Sequence, residues 1–269
     1  MRKLINRHPS RFANWVLGLL PFLILLLVYV LASNARLADN PNDKLLPSLS
    51  GFVQAIDRMG FTEDKRTGEY LLWNDTFSSL QRLFMGVGLS AAIGLVFGVL
   101  NGALPLVRSA FSPLVTAISL IPPMAVLPIL FIVFGLGELS KVVLITFGIT
   151  PFLIRDMQQR TLEIPQEQLI KAQTLGANTW QIILRVILPQ VMPRLLASVR
   201  LSLGAAWLFL IAAEAIASTD GLGYRIFLVR RYLSMDVIIP YVIWITLLAF
   251  FLDYLLRLVS QRFFNWFHQ

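Results

Sequence analysis

Two carboxylates, Glu214 and Asp253, fall inside long apolar runs of the sequence, where an ionised group is costly and marks a partner or a pathway. They lie near the ends of consecutive runs that cross in opposite directions, which puts them on opposite sides and prevents them from sharing a proton or a substrate. Cysteine is absent, so a thiol nucleophile, a disulfide and a thiolate metal site are all excluded. The histidines, His8 and His268, both sit in the terminal tails, which excludes a His-based metal centre or triad within the fold. No G-x-x-x-x-G-K-[ST] phosphate loop occurs. The chain is therefore expected to be no enzyme by itself, and to bind no metal and no cofactor of its own.

Glu214 has two readings: a gate or pathway residue, or a structural partner for a backbone amide or for an arginine of the 225–231 loop. Arg200 precedes it in the same run by about 21 Å of helix axis, too far to pair within one helix, and is expected to snorkel to the nearer membrane surface. Asp253 is expected to meet Arg257 one turn on.

These side chains must be positioned by elements suited to a bilayer. The 269 residues are 57% hydrophobic and 14% charged, with mean hydropathy +0.71, where soluble domains carry about 25% charged residues. Net charge is +8, but no dense basic run is present, so the excess is assigned to membrane-side Lys and Arg rather than to nucleic acid. Apolar runs long enough to span occur at 15–32, 78–104, 111–135, 139–155, 194–217 and 238–259. The expected fold is an all-α membrane protein with six transmembrane helices. The run at 15–32, preceded by Arg2, Lys3, Arg7 and Arg11, is read as a retained first span.

With residues 1–14 inside, inner segments carry twelve Lys and Arg against three acidic residues, and outer segments carry nine against ten. That asymmetry puts both termini, including the 261–269 tail, in the cytoplasm, with the polar loop 33–76 on the other face and an amphipathic stretch at Phe52–Met59 lying along the interface. Trp73, Trp180 and Trp266 fall near the predicted interfaces.

Within the core at 77–260, small residues recur at a step of four: Gly86, Ser90, Gly94, Gly98 and Gly102. Such a stripe allows close helix approach, within the chain or between subunits. The third run carries Pro113, Pro122, Pro123 and Pro128 and must be kinked or broken, which makes Ile121–Pro128 a candidate for a translocation path or a packed kink. The inner segment 156–193 reads as two short helices: Pro165 in a first turn, Gln166–Leu175, a turn at Gly176, a cap at Asn178 or Thr179, and a second helix to Leu188, with Pro189 and Pro193 marking the start of the next span.

The run Ala172-Gln173-Thr174-Leu175-Gly176-Ala177, with nine residues between the glycine and Val186-Ile187-Leu188-Pro189, resembles the cytoplasmic coupling motif of ABC importer permeases, E-A-A, three residues, G, nine residues, I-x-L-P. Ile170 and Lys171 stand where that pattern has Glu and Ala, and Val186 where it has Ile. Ile121-Pro122-Pro123-Met124-Ala125-Val126-Leu127-Pro128, Phe134-Gly135-Leu136-Gly137-Glu138, Arg200-Leu201-Ser202-Leu203-Gly204, Ala212-Ala213-Glu214 and Gly221-Leu222-Gly223-Tyr224 are similar, in order, to the nitrate, sulfonate, taurine and bicarbonate branch.

The resemblance implies a type I ABC importer permease in a bacterial inner membrane, paired with a second copy of itself. It also implies two ATP-binding cassette ATPase subunits carrying ATP and Mg, and a periplasmic or lipid-anchored binding protein delivering a small anion. Ala172, Thr174, Leu175, Gly176, Ala177, Leu188 and Pro189 would couple to the ATPase. Trp180, on a face with Ile183, Leu184 and Ile187, would dock on the ATPase or the bilayer. Pro122, Pro123, Met124, Pro128 and Glu214 are the candidate pathway or gate residues. The same machinery could import a small nitrogen compound such as urea or an amidine. A secondary transporter is the rival class, disfavoured because the halves show no repeat and intramembrane charges are few.

Overall fold

The computed structural model describes residues 10–41, 43–65 and 68–267. Arg2, Lys3, Arg7, His8, Arg66 and His268, which entered the charge and tail assignments, lie outside the described residues. All regular structure among those described is helical: α1 (Arg11–Asp39), α2 (Leu49–Gly60), α3 (Leu71–Ala103), α4 (Pro105–Ser119), α5 (Pro123–Phe134), α6 (Glu138–Leu162), α7 (Gln166–Thr174), α8 (Thr179–Ile182), α9 (Leu188–Ala217), α10 (Leu222–Arg230) and α11 (Met235–Phe263).

Helix α1 starts at Ser10, whose hydroxyl accepts from the Ala13 amide. It is strongly apolar and Ser33 is its one buried residue, so most of its length stands clear of the other helices. Its far end is tied down. Tyr29 donates to the Pro47 carbonyl at 2.7 Å, Ser33 to the Leu46 carbonyl at 2.9 Å, and Arg36 pairs with Asp43, holding that carboxyl below its usual range. The amphipathic segment expected near Phe52–Met59 is α2, capped by Ser48 and laid against α11.

The stripe on α3 packs within the chain, against α6. Added β-carbons at Gly86 and Gly94 would stand 2.7 and 2.6 Å from the β-carbons of Ile145 and Leu153, and Gly98 and Gly102 meet Met157 and Thr161 in the same way. Every partner lies 59 residues further along the chain, so the two helices run parallel and in register. Ser90 fits the seam by donating to the Gly86 carbonyl within its own helix at 2.7 Å. Helix α6 is further enclosed by α4, α5 and α9.

Among the described residues four helical segments are long and apolar enough to cross a bilayer, 11–39, 71–103, 179–217 and 235–263, or five if α4 and α5 count as one broken span. The sixth span expected, at 139–155, is not among them. Helix α6 coincides with the run at 139–155 but carries Glu138, Lys141, Arg155, Asp156 and Arg160 and falls short in apolarity. The third run is two helices meeting at 95° across residues 120–122 rather than one kinked helix, because Pro122 and Pro123 supply no amide hydrogen to continue the ladder.

The helix placed at 194–217 begins at Thr179 instead. A π turn at Ile183–Ile187 leads α8 into α9, so Pro189 and Pro193 lie inside one continuous rod and do not interrupt it. Arg200 does not snorkel. It forms a bidentate pair with Asp253 of α11, both contacts at 2.8 Å, and this cross-helix pair replaces the expected Asp253–Arg257 one.

Because the α3–α6 seam leaves no room for a side chain, Gly94→Val should destabilise the detergent-solubilised protein by about 1–3 kcal/mol or more. Gly88→Val, with nothing within 4 Å of its added β-carbon, should melt within a few degrees of the wild type in the same thermal assay.

Candidate functional site

Three features carry the candidate residues: a buried polar cluster at one end of the helices, a groove beside α6, and a helix-turn-helix at the other end.

The cluster centres on Arg82 of α3, which is 3% exposed. Its Nη1 donates to Glu214 Oε1 at 2.8 Å and to the Asp220 carbonyl at 3.1 Å, and it also pairs with the Asp220 and Glu138 carboxylates. Lys141 donates to Glu138 at 2.7 Å. Glu214 is fully buried and accepts the Gly223 amide at 2.8 Å, with Ser79 Oγ lying 2.8 and 3.0 Å from its two oxygens. Beside it Asp75, also fully buried, accepts the Gly221 amide at 3.0 Å and Arg225 Nε at 2.8 Å. Between them these groups bind the 218–223 loop and α10 to α3.

Two glycines make that approach possible. Gly221, at φ +111°, would drive a β-carbon to within 2.6 Å of the Glu214 carboxyl, and Gly223 would meet the Ile211 carbonyl at 2.6 Å. The partner expected for Glu214 is half right: a backbone amide does bind it, but its arginine is Arg82, while Arg225 of the 225–231 loop serves Asp75. The signal for Arg82 was available in the sequence, since a lone cation near one end of the 78–104 run and a lone acid near the matching end of 194–217 each require a partner.

The groove, about 780 Å³, lies between α4 and α6 and reaches Phe209 of α9. Towards the start of α6 its wall is apolar, with Phe147, Pro151 and Phe152; towards the end it is polar, with Arg155, Gln158 and Gln159 facing Ser112 and Ser119. Of the candidate pathway residues Pro123 lines this groove. Pro122 caps α5, Met124 and Pro128 are exposed along α5, and Glu214 is enclosed in the polar cluster; none of these four lines it.

At the opposite end from the cluster, α7 ends in a Schellman motif: the Gly176 amide donates to the Gln173 carbonyl at 2.9 Å, the Ala177 amide to the Ala172 carbonyl at 3.0 Å, and Gly176 takes φ +80°. Asn178 then caps α8 in a reciprocal box with Gln181. Pro165 is the residue capping α7 rather than part of its first turn. Gln190 donates to Gln168 at 3.0 Å and ties the two arms together.

Ala172 and Ala177 are half-buried against the core and Leu188 is half-buried, whereas Thr174, Gly176 and Pro189 are exposed. Leu175, Trp180 and Leu184 are exposed as well, at 80, 62 and 57%. The shared face expected for Trp180, Ile183, Leu184 and Ile187 is divided by the π turn, which shifts the register and buries both isoleucines.

Residues 86–265 match the family model described as binding-protein-dependent transport system inner membrane component. Among curated relatives, the taurine transport system permease protein TauC of Escherichia coli (strain K12) is 33% identical over 195 residues, 72% of this chain and 71% of that one. A putative aliphatic sulfonates transport permease protein of Bacillus subtilis (strain 168) is 31% identical over 74% of this chain and 73% of its own length. The nitrate import permease protein NrtB of Leptolyngbya laminosa is 27% identical over 75% and 72%. Among solved structures, a chain of the MetNI methionine ABC transporter in inward-facing form superposes with TM-score 0.61 at 24% identity, covering 74% of this chain and 97% of that one.

Removing one partner of a buried ion pair strands the other charge. Arg82→Ala should therefore cost about 3–5 kcal/mol in a denaturation assay. Combining Arg82→Met with Glu214→Gln should cost less than the sum of the two single changes, which a double-mutant cycle measures directly.

Proposed function

The chain belongs to the family of binding-protein-dependent transport system inner membrane components, and on that premise we propose that it is the permease subunit of an ATP-driven importer of a small anion such as taurine, another sulfonate or nitrate. Two copies would form the pathway along their shared axis, a binding protein would deliver the solute from outside, and two ATPase subunits would hydrolyse Mg-ATP on the cytoplasmic side. Substrate class follows the names of three relatives, permeases for taurine, aliphatic sulfonates and nitrate.

The observation that carries the coupling role is the exposed apolar edge of the helix-turn-helix. Leu175, Trp180 and Leu184 present apolar surface left exposed by the described residues, on a turn held by hydrogen bonds from the Leu175, Gly176 and Ala177 amides. A partner of matching shape, pressing on Ala172, Thr174, Leu175, Gly176 and Ala177, would move α7, and through Leu188 and Pro189 the rod behind them. Alternating access would follow from closure of the ATPase pair being delivered to this edge. The polar cluster around Arg82 and Glu214 would hold the outer ends of the helices together while the inner ends move, and Pro122–Pro128 would provide the hinged wall.

In this reading α6 is the sixth crossing. Its charged residues tolerate membrane depth because α3, α4, α5 and α9 surround it, so they meet protein and the groove instead of lipid. Both termini face the cytoplasm and residues 40–70 the other side. In a chain without native cysteine, Ser48→Cys should react with an impermeant thiol reagent from the outside of intact cells; reaction only in inverted vesicles would reverse the topology.

Uptake by the reconstituted complex tests the coupling role. A β-branched residue at φ +80° costs about 1–2 kcal/mol locally, so Gly176→Val should insert and assemble normally yet lose most substrate-stimulated ATP hydrolysis and transport. At Ala172, Ser should be tolerated better than Trp, which would disturb its half-buried contact. Wild-type transport by Gly176→Val at normal expression would remove this segment from the coupling path, and an active complex holding a single copy of the chain without a homologous partner would rule out the symmetric pair.

A further inference from the structure

Resting on the importer reading, we infer that Arg155 is the anion-contacting residue of the groove beside α6, with Ser119, Gln158 and Gln159 completing a station for a sulfonate or nitrate-like group. The inference rests on how charge is distributed around that cavity. Most cations buried or half-buried in the helix core have an acidic partner: Arg82 with Glu138, Glu214 and Asp220, Lys141 with Glu138, Arg160 with Asp156 and Glu163, Arg225 with Asp75, and Arg200 with Asp253. Arg108 is satisfied differently, by the Asn101 and Gly102 carbonyls.

Arg155, which is exposed, differs from all of these. It lines the groove, its side chain donates to the neutral Ser119 hydroxyl at 3.2 Å, and among the described residues no carboxylate lies within ion-pair distance of it. The one acid in the groove wall, Asp156, is engaged elsewhere: Ser198 of α9 donates to it, and Arg160 lies 3.5 Å away. Arg155 is thus the cation lining the groove, and its guanidinium has no carboxylate in ion-pair contact among the described residues.

Its neighbours suit an oxygen-rich anion. Gln158 accepts from Ser112 at 3.1 Å through Oε1, which leaves its amide nitrogen as a donor, and Gln159 and Ser119 add further polar atoms to the same wall. A planar guanidinium beside neutral donors engages a carboxylate, sulfonate or nitrate in two parallel contacts. The apolar stretch at Phe147, Pro151 and Phe152 lies one to two turns before it on α6 and would exclude water from the same route.

The complete complex in proteoliposomes, loaded with ATP, provides the test, with labelled taurine, nitrate, methanesulfonate and urea as probes. Arg155→Gln should lower anion uptake about tenfold, the ~1.4 kcal/mol of one charge-assisted contact. Arg155→Lys should retain most of it, Arg155→Glu should abolish it, and all three should melt as the wild type does. Anion uptake by Arg155→Gln at the wild-type rate would overturn the assignment while leaving the importer reading intact. A fall in melting temperature shared by the Gln and Lys forms would overturn it in favour of a packing role. Failure of the wild-type complex to import any of the three anions in an ATP-dependent way would overturn both.

Discussion

The backbone-close seam between α3 and α6 is the constraint from which the remaining packing follows. In lipid, apolar surface gains little by meeting other apolar surface, so helices associate where backbones approach closely and dispersion contacts are dense. Gly86, Gly94, Gly98 and Gly102 provide that approach, and their partners on α6 keep a constant offset in register. With α6 held along its length, α4 and α5 cover one flank and α9 another, leaving the groove where α4 stands off. The seam also explains how a helix carrying Lys141, Arg155, Asp156 and Arg160 lies among spans far more apolar than itself.

The polar cluster where α6 begins depends on the same seam. Arg82 is on α3 and Glu138 and Lys141 on α6, so the relative placement of the two helices sets where the guanidinium can reach. Glu214 and Asp220 then draw the end of α9 and its following loop onto that point. An isolated charge at this depth would be expensive. Here two cations and three carboxylates share one site, and the less buried of them, Glu138 and Asp220, reach water.

Much of this was legible in the sequence because the signals are local. The glycine step of four, the tandem Pro122-Pro123 break, the turn at Gly176 and the amphipathic segment at 52–59 each follow from residue types a few positions apart. What stayed hidden was long-range or depended on backbone register. The Arg200–Asp253 and Arg82–Glu214 pairs join residues 53 and 132 positions apart, and no local pattern distinguishes them from snorkelling or an i,i+4 contact. The continuity of residues 179–217 escaped because prolines ordinarily end helices, whereas a single wide turn at 183–187 carried the ladder past Pro189. The same turn divided the predicted Trp180 face.

Stiffness is unevenly distributed as a result. Residues 179–217 form a continuous 39-residue rod, about 58 Å long at 1.5 Å per residue, and such a rod deforms little when pushed at one end. The elbow at residues 120–122 is the opposite: two adjacent imino acids leave it without a regular ladder, and the chain turns through 95° there. Compliance in this part of the molecule is therefore concentrated beside the groove. Strain imposed at either end would be absorbed as a change in the angle between α4 and α5, so the width of the groove can vary while the seam behind it keeps its dimensions.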